Sequence, residues 1–159
     1  MQRSQWKWVV AMAGCLMIGF GGGAMASRAK KDLVLVRPDQ AKWVASFPQD
    51  PQHSPQLSFV YGDPATGPVA FLLKYKGAAP PHWHTSDYWS VTLEGKTRHF
   101  LQGKESSATD NPPGTFWFQP GGDPSTAHND VCLTESGCTM FIFMDKKNDV
   151  IPVGAPPKG

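Results

Sequence analysis

The sequence carries almost no net charge. Across 159 residues there are 15 Lys and Arg against 13 Asp and Glu. Two of the basic residues, Arg3 and Lys7, lie in an N-terminal segment that we expect to be removed, which leaves 13 residues of each sign. A neutral domain has no basic surface with which to bind nucleic acid or an anionic membrane. The charge therefore excludes nucleic acid as an expected partner.

Helical periodicity and internal repeats are also lacking. Instead, short apolar-alternating runs recur, and Gly, Pro or Asp residues close them; the chain has 15 Pro and 16 Gly. Many short strands separated by turn residues are typical of an all-β sandwich or barrel. The predicted strands are Leu33–Val36, Lys42–Phe47, Leu57–Tyr61, Val69–Tyr75, Tyr88–Glu94, Lys96–Gln102, Gly114–Gln119 and Thr139–Met144.

Cysteine is scarce, with three in the chain, and Cys15 lies in the N-terminal segment. The other two, Cys132 and Cys138, stand six positions apart around Thr134–Gly137. Two cysteines in an exported protein are expected to form a disulfide, and this spacing suits a hairpin between neighbouring strands. The alternative is a metal site on two thiolates.

The N-terminal segment has the features of a signal peptide. A polar start with two basic residues precedes an apolar, glycine-rich run from Val9 to Ala26 that ends in Ala24-Met25-Ala26, which predicts cleavage before Ser27. An uncleaved membrane anchor, or a lipoprotein modified at Cys15, are the alternatives. We expect a secreted or periplasmic protein without an integral membrane domain after cleavage. The predicted organisation is a signal peptide 1–26, an N-terminal extension with short strands 27–56, a main domain 57–146 and a C-terminal tail 147–159, which is predicted to be disordered from Pro152 onward.

One group of residues carries metal chemistry, the segment His82-Trp83-His84. Residues two apart in a strand point to the same face, so the two imidazoles converge as ligands of one ion would. Taken alone, the pair could equally be two partly buried polar residues.

The surrounding sequence resembles the cupin superfamily. Its first signature is H-x-H, three residues, a Glu, six residues and a Gly, and here Gly95 follows His82-x-His84 at the required spacing. The segment Gly114–Gly122 resembles the second signature, G-x5-P-x-G, which a His follows. The resemblance covers about residues 41–144 and is to an exported single-domain branch. It implies an all-β double-stranded β-helix, a jelly-roll barrel that holds a metal inside.

The chain departs from these signatures at two positions. Tyr88 stands where the first signature has Glu, and Ser125 stands where the second has His, with His128 three residues later. The resemblance implies His82, His84 and His128 as ligands of a divalent ion, which for three imidazoles is Fe, Zn, Cu, Ni or Mn. Tyr88 would ligate as phenolate, donate a hydrogen bond to a bound oxygen species, or fill the barrel.

Other residues are candidates for supporting roles. Gln119 and Arg98 are candidates for orienting a polar substrate, and His99 for a position behind the ligands. Two sets of alternating apolar residues are predicted to pack in the core. These are Trp89, Val91 and Leu93 in one strand, and Phe116 and Phe118 in another.

Three functions compete on this evidence. The first is a metal-dependent enzyme acting on a small molecule, with dioxygenase chemistry and a catalytic Tyr88. The second is a non-catalytic cupin that binds or senses a small ligand or metal. The third is a structural barrel with a degenerate site. The resemblance also implies a homodimer.

Overall fold

The computed structural model describes residues 33–154. The predicted signal peptide 1–26 and the Cys15 alternative lie outside the described residues. Within the described range the chain forms β-strands and three short 3₁₀ helices, Pro38–Gln40, Glu105–Ser107 and Pro124–Thr126. No helix within this range is long and apolar enough to span a membrane. The strands are β1 (Val44–Ala45), β2 (Gln56–Gly62), β3 (Val69–Tyr75), β4 (Gly77–Ala78), β5 (His82–Trp83), β6 (Tyr88–Glu94), β7 (Thr97–Leu101), β8 (Phe116–Gln119), β9 (His128–Cys132), β10 (Cys138–Met144) and β11 (Ile151–Pro152).

The strands form two antiparallel sheets. One has six strands in the order β1-β2-β3-β10-β6-β8. The other runs β11-β5-β9-β4, with β7 also paired to β9. The prediction of an all-β fold is confirmed. The pairing of β10, which is late in the chain, between β3 and β6 brings distant parts of the sequence together in one sheet.

The strand predictions are right for the long strands and wrong at the N-terminal end. β3 and β6 have the predicted bounds. Leu33–Val36 is not a strand but an exposed segment, and only Val44–Ala45 of the predicted strand 42–47 pairs with a neighbour. The polar strand β9 was not predicted from the apolar pattern.

The predicted core side of β6 is inverted. Tyr88, Ser90 and Thr92 are the buried residues of this strand, at 4%, 0% and 0% exposure. Trp89, Val91 and Leu93 therefore lie on the outer face, together with Phe116 and Phe118 of β8, which are 61% and 47% exposed. The interior accepts the polar residues because they bond there; the hydroxyls of Thr92 and Thr97 are 3.1 Å apart.

The barrel interior thus has two halves. β3 and β10 contribute an apolar cluster that includes Phe71, Met140 and Met144. Strands β6 to β9 contribute most of the buried polar residues, including Gln119 and His128. Apolar burial supplies most of the folding energy, and the polar half is available for chemistry.

The segment after β10 belongs to the barrel. Ile151 and Pro152 of β11 pair with Trp83 and His82 of β5, although the sequence predicts that disorder begins at Pro152. This pairing places residues 147–152 beside the strand that carries the histidines.

The structure joins Cys132 and Cys138 in a disulfide, with a Cα–Cα distance of 5.7 Å. Cys132 ends β9 and Cys138 begins β10, so the bond ties the two sheets together at a short turn. The pairing excludes the alternative of a thiolate metal site at these residues.

Candidate metal centre

Three histidines from two strands meet inside the barrel. His82 opens β5 and is the register partner of His128, which opens β9, while His84 directly follows β5. One ring nitrogen from each lies within 4.8 Å of the others. His84 and His128 are buried, with 8% and 1% exposure. The structure therefore brings together the three residues that the resemblance implies as ligands.

Backbone carbonyls fix how each imidazole is oriented. His82 Nδ1 lies 2.8 Å from the Pro80 carbonyl and His128 Nδ1 lies 3.1 Å from the Thr126 carbonyl. His84 Nδ1 bonds to the carbonyl of Asp149. A carbonyl only accepts, so every Nδ1 carries a proton, and in a neutral ring the Nε2 atom then keeps its lone pair. That is the tautomer a metal ligand needs.

Burial also keeps two of these rings neutral. Burial, together with the neighbouring His82, lowers the pKa of His84 to about 4. Burial lowers the pKa of His128 to about 3, and the charge of Asp130 opposes that shift only in part. Near neutral pH both rings are uncharged, so a metal ion would not have to displace their protons.

Tyr88 lies directly beside the cluster. Its hydroxyl oxygen is 3.2 Å from His128 Nε2. Burial, and then the charge of Asp130, raise the pKa of Tyr88 well above its ordinary value. The hydroxyl is therefore protonated and donates to the lone pair of His128. The raised pKa therefore disfavours ligation by Tyr88 as a phenolate, because the hydroxyl would first have to lose its proton.

Asp130 supplies a carboxylate that the sequence analysis missed. Its Oδ2 lies 3.8 Å from both His82 Nε2 and His128 Nε2. It stands two residues after His128 in β9, so alternation alone places both side chains on one face. That spacing was the signal that could have identified it. Burial would raise the pKa of Asp130, but the charge and hydrogen bond of His99, with His128 and His82, hold it below its usual range.

His99 and Gln119 extend this network away from the histidines. The Gln119 amide nitrogen donates to the Pro120 and Thr126 carbonyls, so its oxygen faces His99 Nε2 at 2.8 Å. Asp130 Oδ1 lies 2.9 Å from His99 Nδ1.

Both partners of the His99 ring are acceptors, so the ring carries two protons and a positive charge. Burial would lower the pKa of His99, but the charge of Asp130 and these hydrogen bonds outweigh it and raise the pKa.

Arg98 does not belong to the site. It precedes His99 in β7, so it points to the outer face, where its Nε bonds to Asp110 Oδ1 at 2.7 Å. The structure does not bring this candidate together with the others, because alternation turns it away from the side of the strand that His99 faces. Gln119 and His99 do lie inside, bonded to each other.

A cavity of about 510 Å³ adjoins the cluster. His82, His84, Tyr88 and Asp130 line one part of it. Elsewhere its wall comes from the apolar half of the barrel and from segment 148–152. A volume of this size suits a small molecule.

The donors suit a divalent transition metal. Three neutral imidazole nitrogens with an adjacent carboxylate oxygen are a ligand set for Fe, Zn, Cu, Ni or Mn, whereas Mg and Ca prefer oxygen donors. The three protonated Nδ1 atoms show that the set is arranged before an ion binds.

Comparison with known proteins identifies the fold. No protein-family model and no curated protein matches the chain by sequence. An RmlC-like cupin from Shewanella frigidimarina NCIMB 400 has a TM-score of 0.56 at 15% identity, covering 74% of this chain and 95% of that chain. The fold is that of a cupin.

Two further solved structures have the same cupin fold. The polyketide cyclase RemF from Streptomyces resistomycificus has a TM-score of 0.56 at 18% identity, with 79% of this chain and 88% of that chain covered. KdgF from Halomonas sp. has a TM-score of 0.53 at 19% identity, with 73% and 96% covered. The cupin jelly-roll barrel predicted from the two signatures is confirmed.

A short turn precedes the displaced histidine. The residues that precede His128 form the 3₁₀ helix Pro124–Thr126, and Asp123 caps it by accepting from the Ser125 amide at 2.7 Å. This turn takes up the three extra residues ahead of β9, so that His128 still opens the strand opposite His82.

Proposed function

We propose that this chain is an exported, metal-binding cupin whose ion is held by His82, His84 and His128. The observation that carries the proposal is the common tautomer of the three rings. Each Nδ1–H is bonded to a backbone carbonyl, which leaves the three Nε2 atoms as the candidate donors, although the Tyr88 hydroxyl donates to that of His128. Histidines that were merely satisfied in the core would have no need of three such nitrogens in one place.

Asp130 takes the place of the missing signature carboxylate. Tyr88 stands where that carboxylate is expected, which by itself favours a weakened, non-catalytic site. The Oδ2 atom of Asp130, in β9 rather than β6, lies 3.8 Å from the Nε2 atoms of His82 and His128, so the site keeps a carboxylate. This favours an enzyme over a cupin that only binds or senses a ligand, which is the alternative.

The activity we propose is dioxygenase chemistry on a small molecule. An ion in this position would supply Lewis-acid or one-electron chemistry at coordination positions that the protein leaves open. Tyr88 would be free to donate its proton to a ligand once the His128 lone pair is engaged. Asp130 and His99 hold a further proton beside the cluster. The apolar cavity wall would exclude water from the reacting groups.

Metal titration tests the site. We expect the mature protein to bind one equivalent of zinc and His128→Ala to lose at least tenfold in affinity, as deletion of a ligand should cause. His53→Ala is the matched control, because the His53 side chain is 80% exposed and pairs with Asp50. Circular dichroism confirms that each variant is folded. Equal zinc affinity in His128→Ala and the wild type would refute the site.

Oxygen consumption separates the enzyme from the binding module. The Fe(II)-loaded protein is mixed with small thiols or small aromatic molecules, and dissolved oxygen is followed. Substrate-dependent uptake that is lost in His84→Ala is the expected result. Binding of such molecules without uptake would favour the non-catalytic alternative.

The location and assembly of the protein are also proposals. The Cys132–Cys138 disulfide supports an oxidising compartment, which suits a secreted or periplasmic protein. The exposed Phe116 and Phe118 on the outer face support a homodimer. N-terminal sequencing of the exported protein should find Ser27 first, and light scattering should give the mass of a dimer.

A further inference from the structure

The cavity beside the histidines is apolar over most of its wall. Its apolar lining comes from the inner faces of β2, β3 and β10. The residues are Leu57, Phe71, Leu73, Met140, Ile142 and Met144. A wall of this kind favours an apolar ligand body, because its burial releases ordered water. Its polar lining includes His82, His84 and Asp130, and we call the part that they form the polar end of the cavity.

Tyr75 places a weakly bonded donor in this cavity. It ends β3, is 7% exposed and lines the cavity. Its hydroxyl has one partner among the described residues, the thioether sulfur of Met140 at 3.9 Å, which is a weak acceptor. Buried hydroxyls normally find a stronger partner. A ligand oxygen would provide one.

Tyr75 is also close to the polar end of the cavity. Burial, and then the charge of Asp130, raise the pKa of Tyr75 far above its ordinary value. The same tyrosine influences the pKa of Tyr88, which touches His128. The Tyr75 hydroxyl therefore remains a donor near the cluster.

The charges in this region favour an anionic ligand. Among the described residues lining the cavity, Asp130 is the one carboxylate, and its charge is matched by that of His99. A divalent ion on the three histidines would bring two positive charges against this single carboxylate. Lys76 adds a further positive charge to the lining.

We propose that the cavity binds a small, mainly apolar molecule by an anionic oxygen head, and that Tyr75 donates a hydrogen bond to that head. A carboxylate, phenolate or enolate on an aliphatic or aromatic body has this chemistry. The proposal rests on the proposed metal centre, since the ion provides most of the positive charge. Tyr75 is a binding residue that sets specificity for the head.

Calorimetric titration of the zinc-loaded protein tests this proposal. The probes are acetate, hexanoate, hexan-1-ol and hexyltrimethylammonium. We expect hexanoate to bind most tightly, because each fully buried methylene adds roughly fourfold in affinity over acetate. Hexan-1-ol and hexyltrimethylammonium have a comparable alkyl chain but lack the negative head. Tyr75→Phe should weaken hexanoate binding roughly tenfold or more, the loss expected for a hydrogen bond to a charged group. Tyr61→Phe is the control, since Tyr61 is 43% exposed and outside the cavity.

Two results would overturn the proposal. One is hexanoate binding no tighter than hexan-1-ol or hexyltrimethylammonium, and the other is equal hexanoate affinity in Tyr75→Phe and the wild type. Zinc titration before the ligand titrations tests the metal centre independently of the anion-binding proposal. If zinc does not bind, the proposed function fails, and the Tyr75→Phe comparison in metal-free protein still decides whether the cavity takes the anionic head.

Discussion

Three backbone carbonyl groups determine which ring nitrogen of each histidine faces the centre of the site. They belong to Pro80, Thr126 and Asp149, which lie in three separate segments. A sequence motif shows which residues are histidines, but it cannot show what holds their Nδ1 protons. The agreement of all three tautomers is therefore information that comes from the structure alone.

Tyr88→Phe should separate metal binding from the chemistry that follows. The change removes the hydroxyl that donates to His128 Nε2 but keeps the ring in its buried position. Zinc affinity should stay within about threefold of the wild type, because the hydroxyl competes for a lone pair rather than providing a ligand. Substrate-dependent oxygen uptake by the Fe(II)-loaded variant should fall at least tenfold, as for loss of a proton donor. A large loss of zinc affinity would instead make Tyr88 a ligand.

At the scale of strands, much of the fold could be predicted but the inner face of β6 could not. Val69–Tyr75 and Tyr88–Glu94 are bounded by turn residues, and both strands have the predicted ends. The prediction of which β6 residues face inward was wrong. It assumed that apolar residues are buried, and this rule fails in a barrel whose interior is half polar. Ser90 and Thr92 are fully buried there.

Strand β9 was missed for the same reason. His128 and Asp130 face inward and are polar, so the strand shows no apolar alternation. The histidine itself was identified by resemblance, and the partner Asp130 was not, because the signature contains no acidic residue at that position. Tyr75 was also not identified as a cavity residue, since a tyrosine at the end of an apolar strand is typical of a core residue.

The C-terminal segment gives a prediction at this scale. A chain ending at Lys146 loses β11 and the Asp149 carbonyl that orients His84. We expect zinc affinity to fall by roughly 10- to 100-fold, the usual effect of losing a group that positions a ligand. A chain ending at Gly154 is the control and should bind zinc like the full chain. Competition with a chromogenic chelator measures both affinities, and equal values would show that the segment does not support the site.

At the scale of the whole molecule, the same two halves of the barrel interior, one apolar and one polar, contribute both to stability and to the proposed site. The apolar half of the barrel supplies buried area and also the wall of the cavity. The polar half holds neutral histidines and the His99–Asp130 pair in the same small space. Groups that are buried with shifted pKa values make folding depend on pH.

The metal-free protein should lose stability between about pH 6 and about pH 4.5. His84 and His128 have folded pKa values of about 4 and about 3, below the 6.5 of the unfolded chain. In that window the unfolded chain binds more protons, so the free energy of unfolding falls as pH falls, by roughly 2 kcal/mol for each histidine.

The buried His99–Asp130 pair does not change this slope. His99, with its raised pKa, is protonated in both states there, and Asp130, with its lowered pKa, is ionised in both. Urea unfolding at the two pH values measures the difference. A free energy that stays constant or rises on acidification would show that the two rings are not buried as neutral groups.

Anomalous diffraction from zinc-loaded crystals tests the central claim most directly. We predict one strong anomalous peak at bonding distance from the Nε2 atoms of His82, His84 and His128, with Tyr88 outside the coordination sphere. The second group of closely placed donors, His99, His128 and Asp130, offers a competing position. A peak there, or no peak inside the barrel at full zinc loading, would contradict the three-histidine centre.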